Sequence, residues 1–240
     1  MTNVRRHELP GQIEHIVARG VHGDHLARRG GWDTELYNAI AREAVERDWR
    51  VWSLCVMETH YHLLVETSDC SIAAGLHRAH STHASRRNRL GSRRRGAVFG
   101  RRYSSFPIRD GEHLRNAIAY VARNPVAAGV CVDAGDWPCS TYRAIAGLDV
   151  CPPWVAKHDV LSAIGRPFGE PATELTYRLL VGAEAGTPVP PLGPHDWNRY
   201  DVECLVDRGH SNVEIAGLLR MSERQVRRLA APRRLILRRA

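Results

Sequence analysis

Two runs rich in β-branched and aromatic residues set the frame of this chain: Trp49-Arg-Val-Trp-Ser-Leu-Cys-Val-Met57 and His60-Tyr-His-Leu-Leu-Val-Glu66, parted only by Glu58 and Thr59. Residues that suit a pleated surface, broken by two polar positions, predict an antiparallel hairpin. An isolated hairpin is marginal in water, so the rest of the chain must supply further strands and covering helices.

The flanking sequence offers both. Residues 12–18 alternate as a strand does, and 34–47 carry Leu36, Ile40, Ala44 and Val45 at helical spacing behind a Thr or Asp cap. A second helix is predicted over 71–88, with Ile72, Leu76 and Ala79 on one face. Residues 102–108 read as an edge strand, because Pro107 cannot donate to a ladder. A third helix starts at Asp110 or Gly111 and runs through Leu114, Ile118 and Val121 to Asn124-Pro125, where the proline predicts an end or a kink. The order β, α, β, β, α, β, α predicts an α+β fold, an antiparallel ferredoxin-like or RRM-like sheet with helices on one face.

Composition then changes along the chain. A sheet domain is expected over 1–148 and a proline-rich connector over 149–195, in which a helical piece near 174–181 packs back on the core and 187–194 is a stiff spacer. A small all-α module is expected over 196–240, with helices near 201–207, 213–219 and 222–229. Ser211-Asn-Val-Glu-Ile-Ala216, the turn at Met221-Ser222 and Val226 fit a helix-turn-helix, although Arg220 occupies a place where many such turns carry glycine. Its second helix would present Glu223, Arg224, Gln225, Arg227 and Arg228 to base edges and phosphates; a plain three-helix packing module is the alternative.

At 240 residues, 43% hydrophobic and 25% charged, the chain is globular rather than disordered. No run of about 18 apolar residues occurs, and the start lacks an apolar signal region, so a cytoplasmic protein with no membrane span is expected. The six cysteines form no C-x-x-C pair, which favours reduced thiols. The net charge of +8 is almost all arginine, Lys157 being the one lysine. Arginines gather at Arg86, Arg87, Arg89, Arg93, Arg94, Arg95, Arg101 and Arg102, and again between Arg220 and Arg239. Like charges packed together repel unless a polyanion neutralises them, so nucleic acid is the favoured partner over a merely solvated face.

Two constellations could carry chemistry. His60 and His62 are two apart on a predicted strand, so both imidazoles leave the same face and can share a divalent metal, or serve as an ordinary hydrogen-bonded pair. Tyr120 and Asn124 are four apart on a predicted helix, offset by about 40° around the axis and about 6 Å along it. They share a face too, which is equally a core tyrosine and a helix-ending asparagine.

In order, Met57-Glu-Thr-His-Tyr-His-Leu-Leu-Val-Glu-Thr67, Phe99-Gly-Arg-Arg-Tyr-Ser104, Tyr120-Val-Ala-Arg-Asn-Pro-Val-Ala-Ala-Gly129 and Asp136-Trp-Pro-Cys-Ser-Thr-Tyr142 resemble the single-tyrosine HUH transposases. The nearest branch is the REP-associated tyrosine transposases, and the resemblance spans about residues 9–147. It implies that 1–148 is the catalytic domain, that His60, His62 and Asn124 bind Mg²⁺ or Mn²⁺, and that Tyr120 is the nucleophile. It also implies single-stranded or hairpin DNA as partner, cleaved and rejoined through a 5′ phosphotyrosine link, and is compatible with a homodimer. Arg86, Arg87, Arg93, Arg94, Arg95, Arg101 and Arg102 would grip the DNA backbone, joined by Arg224, Gln225, Arg227 and Arg228 of the C-terminal module.

Two positions depart from the family: Val21-His-Gly-Asp24 follows Arg19-Gly20 where Arg-Gly-Asn is usual, and Glu58-Thr59 replaces a frequent Pro-Asn. His22, His25, His77, His80, His83 and His113 match no family ligand and read as surface or phosphate-facing residues. A hairpin-binding or regulatory protein derived from a transposase, no longer cutting, is the alternative. A zinc hydrolase is a weaker one, because no general-base carboxylate accompanies the histidines in a recognisable motif.

Overall fold

In the computed structural model the residues described are 9–21, 26, 32–89, 97–100, 102–183, 211–213, 216 and 222–230. The predicted hairpin forms β2 (Arg50–Val56) and β3 (His60–Glu66), paired antiparallel with Cys55 opposite His62 and Leu54 opposite Leu63. Strand β1 (Ile13–Arg19) pairs with the other side of β3, and β4 (Ser104–Pro107) with the far side of β1. The sheet order is therefore β2-β3-β1-β4, each neighbour antiparallel, the split arrangement of a ferredoxin-like α+β fold. Pro107 lies on the exposed edge strand, where its missing N–H costs no ladder bond.

Both faces of the sheet are covered, which corrects the expectation of helices on one face. Helices α1 (Trp32–Glu46) and α2 (Ile72–Arg89) bury Leu36, Ile40, Leu76 and Ala79 against Ile16, Leu54, Tyr61 and Leu63. The opposite face receives α3 (Gly111–Ala127), whose Leu114, Ile118 and Val121 meet Cys55 and Leu64. The strands foretell this, since five consecutive residues of β1 and of β3 are buried where a one-sided sheet would alternate. In β2 the register shifts between Val51 and Ser53. Val51 and Leu54, three apart, consequently both reach the α1/α2 core, which a regular strand would forbid.

Helix α3 opens on Asp110, whose carboxylate accepts the backbone N–H of His113 at 2.8 Å. It passes through Pro125 and ends two residues later, beyond the predicted stop. The stop is set instead by Gly129 in the left-handed region (φ 66°), whose N–H returns to Val126 while that of Val130 returns to Pro125, both at 2.9 Å.

The chain divides into two compact units, Met1–Gly186 and Thr187–Ala240. Residues 149–183 accordingly belong to the first, where a connector was expected. The free edge of β2 is taken up by this stretch: Val51 donates to Trp154 at 3.0 Å and Ala156 donates to Val51 at 2.9 Å. Residues 139–141 cover the rest of that edge, through Val56 N–H to Cys139 and Thr141 N–H to Leu54, both at 2.9 Å. Helices α4 (Tyr142–Ile145), α5 (Lys157–Gly165) and α6 (Glu174–Ala183) then bury Ile145, Val160, Ile164 and Tyr177 beside α3. Arg50 ties the two regions by pairing with Glu66 at 3.0 Å and Asp159 at 2.7 Å.

Among the described residues of the second unit, Glu223–Ala230 is helical, with Val226 buried and Arg227 paired to Glu223 at 2.8 Å. The helix expected over 201–207 and most of that over 213–219 lie outside the described residues. None of the five described cysteines is in a disulfide, and Cys55 and Cys139 are buried. No helix among the described residues is long and apolar enough to cross a membrane.

Candidate active site

β1 and β3 present their site residues from one face because the pairing register aligns them. Arg19 lies opposite His60, Val17 opposite His62 and His15 opposite Leu64. With side chains alternating along a strand, His60 and His62 share the face that α3 covers, and His15 and Arg19 share it from the neighbouring strand. α3 lays Tyr120 and Asn124 across them.

The rings are in contact. His60 and His62 have centroids 5.0 Å apart at 88°, and Tyr120 meets His62 edge-on at 5.1 Å and 86°. His15, fully buried, lies 6.3 Å from Tyr120 and joins its Nε2 to Nδ1 of His62 at 3.0 Å. On the other side Thr59 Oγ1 is 3.1 Å from Nδ1 of His60, and the Asn124 side chain is hydrogen-bonded to His60. Asn124 is itself buried, and Tyr120 is half-buried.

Electrostatics keep the imidazoles neutral. Burial pushes His60 down to about 3, helped by the Arg19 charge and resisted by the bond to Asn124. Burial, then His60, His15 and Arg19, hold His62 well below the ordinary histidine value. His15 is likewise pushed down to about 3, by burial and then by His113. Neutral imidazoles offer lone pairs, the state in which histidine ligates a metal.

The donor set can be tested against a divalent cation. Among the described residues no three His, Cys, Asp or Glu side chains converge as a ligand group. His15 is spent on His62. A cation here would take one nitrogen from each of His60 and His62 and the amide oxygen of Asn124, a mixed set in which the paired imidazoles suit Zn²⁺ as well as Mg²⁺ or Mn²⁺. The four sequence-derived residues His60, His62, Tyr120 and Asn124 are thus brought together, and His15 is an addition.

The expected DNA-binding arginines fare unevenly. Arg93, Arg94, Arg95 and Arg101 lie outside the described residues, as do the side chains of Gln225 and Arg228. Arg86 is exposed and pairs with Glu35 at 2.9 Å, Arg87 is half-buried on the last turn of α2, and Arg102 and Arg224 are exposed. Two of the histidines read as surface residues are not so. His83 is buried, and His80 stacks on Phe99 at 3.8 Å and bonds to the Tyr61 hydroxyl at 2.8 Å. These residues lie across the sheet from the candidate site, in contact with the Tyr61 side of β3. His22 and His25 lie outside the described residues.

The fold resembles that of a REP-associated tyrosine transposase bound to a REP hairpin. The similarity has a TM-score of 0.52 at 18% identity, over 64% of this chain and 90% of that one. At this distance the likeness to the transposase speaks for the fold, and the share of this chain left uncovered is 36% (100 less 64). No family model matches the sequence, and no curated protein does.

Proposed function

We propose that the chain is a metal-dependent single-tyrosine transposase that cleaves and rejoins single-stranded DNA, at hairpin repeats, through a 5′ phosphotyrosine link. The observation that carries this reading is the convergence of Tyr120, His62, His60 and Asn124 from one helix and one strand, with Tyr120 5.1 Å from His62 between ring centroids. The solved transposase of similar fold is bound to a REP hairpin, which supports a hairpin as this chain's partner as well.

In this reading His60, His62 and Asn124 hold Mg²⁺ or Mn²⁺. Held there, such an ion would supply Lewis-acid stabilisation of the charge that develops on the scissile phosphate. Free phenols, with a pKa of about 10, are poor nucleophiles at neutral pH, so Tyr120 depends on its fixed position. Its oxygen bonds to phosphorus and loses its proton as the bond to the 3′ oxygen breaks; that oxygen takes up a proton. Attack of a 3′ hydroxyl on the phosphotyrosine reverses the balance, releasing the phenol and joining strands without a nucleotide cofactor. Arg19, across from His60 on the same face, supplies positive charge near the phosphate. The arginines of 86–102 and a helix-turn-helix over 196–240 bind flanking DNA.

The test is incubation of the full chain with end-labelled single-stranded oligonucleotides from its own flanking repeats and Mn²⁺. A covalent adduct on a denaturing gel, absent with Tyr120→Phe, is expected. Hairpin binding by both proteins with an adduct from neither, across metals and sequences, replaces this reading with that of a non-cutting hairpin binder.

A further inference from the structure

His15 is the residue of the site that the proposed chemistry does not use. Its neighbours across the sheet are the apolar Leu64 and Phe106, and the Tyr120 ring of α3 lies 6.3 Å away, so an apolar side chain would pack there at less cost. Instead the chain buries an imidazole completely, with one nitrogen, Nδ1, lacking a hydrogen-bond partner among the described residues. A buried orphan of this kind calls for a reason, and the single hydrogen bond His15 is shown making is to His62.

We propose that His15 is a positioning residue: its Nε2 accepts the Nδ1 hydrogen of His62, fixing the ring plane and tautomer of His62 so that Nε2 of His62 is bare and faces Tyr120 and His60. The inference rests on the metal-binding reading of His62. Two neutral imidazoles 3.0 Å apart share one hydrogen, and it can sit on either nitrogen of the contact. With the hydrogen on His15, His62 would carry its own proton on Nε2 and have no lone pair for a cation. With the hydrogen on His62, the lone pair is free, and the orphan at Nδ1 of His15 becomes a buried N–H, a cost accepted at one remove from the site. His60 has its Nδ1 engaged in a comparable way, by Thr59 Oγ1 at 3.1 Å, and the Asn124 side chain is its other hydrogen-bond partner.

The experiment uses the full chain labelled with ¹⁵N-histidine, without metal, and reads the His62 nitrogens in long-range ¹H–¹⁵N spectra, assigned through His62→Gln. Protonated Nδ1 and bare Nε2 are expected in the wild type. In His15→Phe, which exchanges one buried orphan for another and should keep its melting temperature within a few degrees, His62 should populate both tautomers. Mn²⁺ affinity, followed by the electron-spin-resonance signal of free Mn²⁺, should fall about 10-fold in His15→Phe. His15→Gln, whose amide oxygen can accept the same hydrogen, should recover most of it.

A wild-type His62 protonated on Nε2, or an unchanged tautomer and Mn²⁺ affinity in a folded His15→Phe, overturns the inference. A wild type with bare Nε2 that takes up no Mn²⁺ sinks the metal reading of the site instead, and leaves the direction of the His15 hydrogen bond as assigned.

Discussion

Asn124 on α3 is hydrogen-bonded through its side chain to His60 on β3, joining the helix that carries Tyr120 to the strand that carries both site histidines. The helix is anchored over the sheet by Leu114, Ile118 and Val121, so the bond works on a preset geometry. Asn124→Ala removes both an amide oxygen donor and this tie. Mn²⁺ affinity and adduct yield are expected to fall at least about 10-fold, with hairpin binding in the absence of metal unchanged in a gel-shift assay.

Backbone gripping by arginine has a salt signature. If about six phosphates of a single strand are neutralised, log affinity should fall against log salt with a slope near −4, by fluorescence anisotropy between about 50 and 200 mM NaCl. Arg102→Ala should flatten the slope by about 0.7. Arg86→Ala should change it less, because Arg86 is held by Glu35 at 2.9 Å in the free protein.

Gly75 allows α2 to approach Trp49 closely. A Cβ there would stand 2.4 Å from Cζ2 of Trp49, a ring fixed by its own Nε1 donating to Ser71 Oγ at 2.8 Å. Gly75→Ala should therefore destabilise the protein by about 1–3 kcal/mol despite alanine's better helix propensity, measured by urea denaturation.

His80 gives an acid limb to stability. Its pKa is pushed from 6.5 down to about 4, by burial first and then by the charges of His83 and His77. The unfolded chain binds this proton and the folded one does not, so stability is complete above about pH 6.5 and declines as pH falls toward about 4. At about pH 5 the loss from this one group is about 2 kcal/mol. His80→Gln, which can still bond to the Tyr61 hydroxyl, should lose about that much less between pH 7 and pH 5 in matched urea titrations.

The strands and helices around the hairpin are legible because their signals are local: period-two runs, the Asp110 cap, the proline on an edge. Covering of both faces is legible only in hindsight, in the consecutive apolar residues Leu63, Leu64 and Val65 of β3. His15 escapes sequence reading for a different reason. Alternation places it on one face with Arg19, but only the register, His15 opposite Leu64 and Val17 opposite His62, sets it beside His62. Pairing register is a property of two segments far apart in the chain. His83 and His80 mislead for a related reason, since a polar residue at i+3 spacing on an arginine-rich helix looks solvated until Phe99 and Tyr61 are found against it. The prolines of 149–195 suggest a connector because proline breaks periodicity; the short apolar pieces within 149–183 nonetheless pack beside α3.

The sealing of β2 by residues 139–141 and 154–156 sets a lower limit on the smallest fragment worth making. A piece cut after residue 148 would keep every residue of the candidate site yet leave half of Arg50–Val56 as an open strand edge. It would also strip from α3 the cover given by Val160, Ile164 and Tyr177. Such an edge recruits other chains, and the fragment would be sticky rather than merely weak. One ending near residue 186 keeps both coverings.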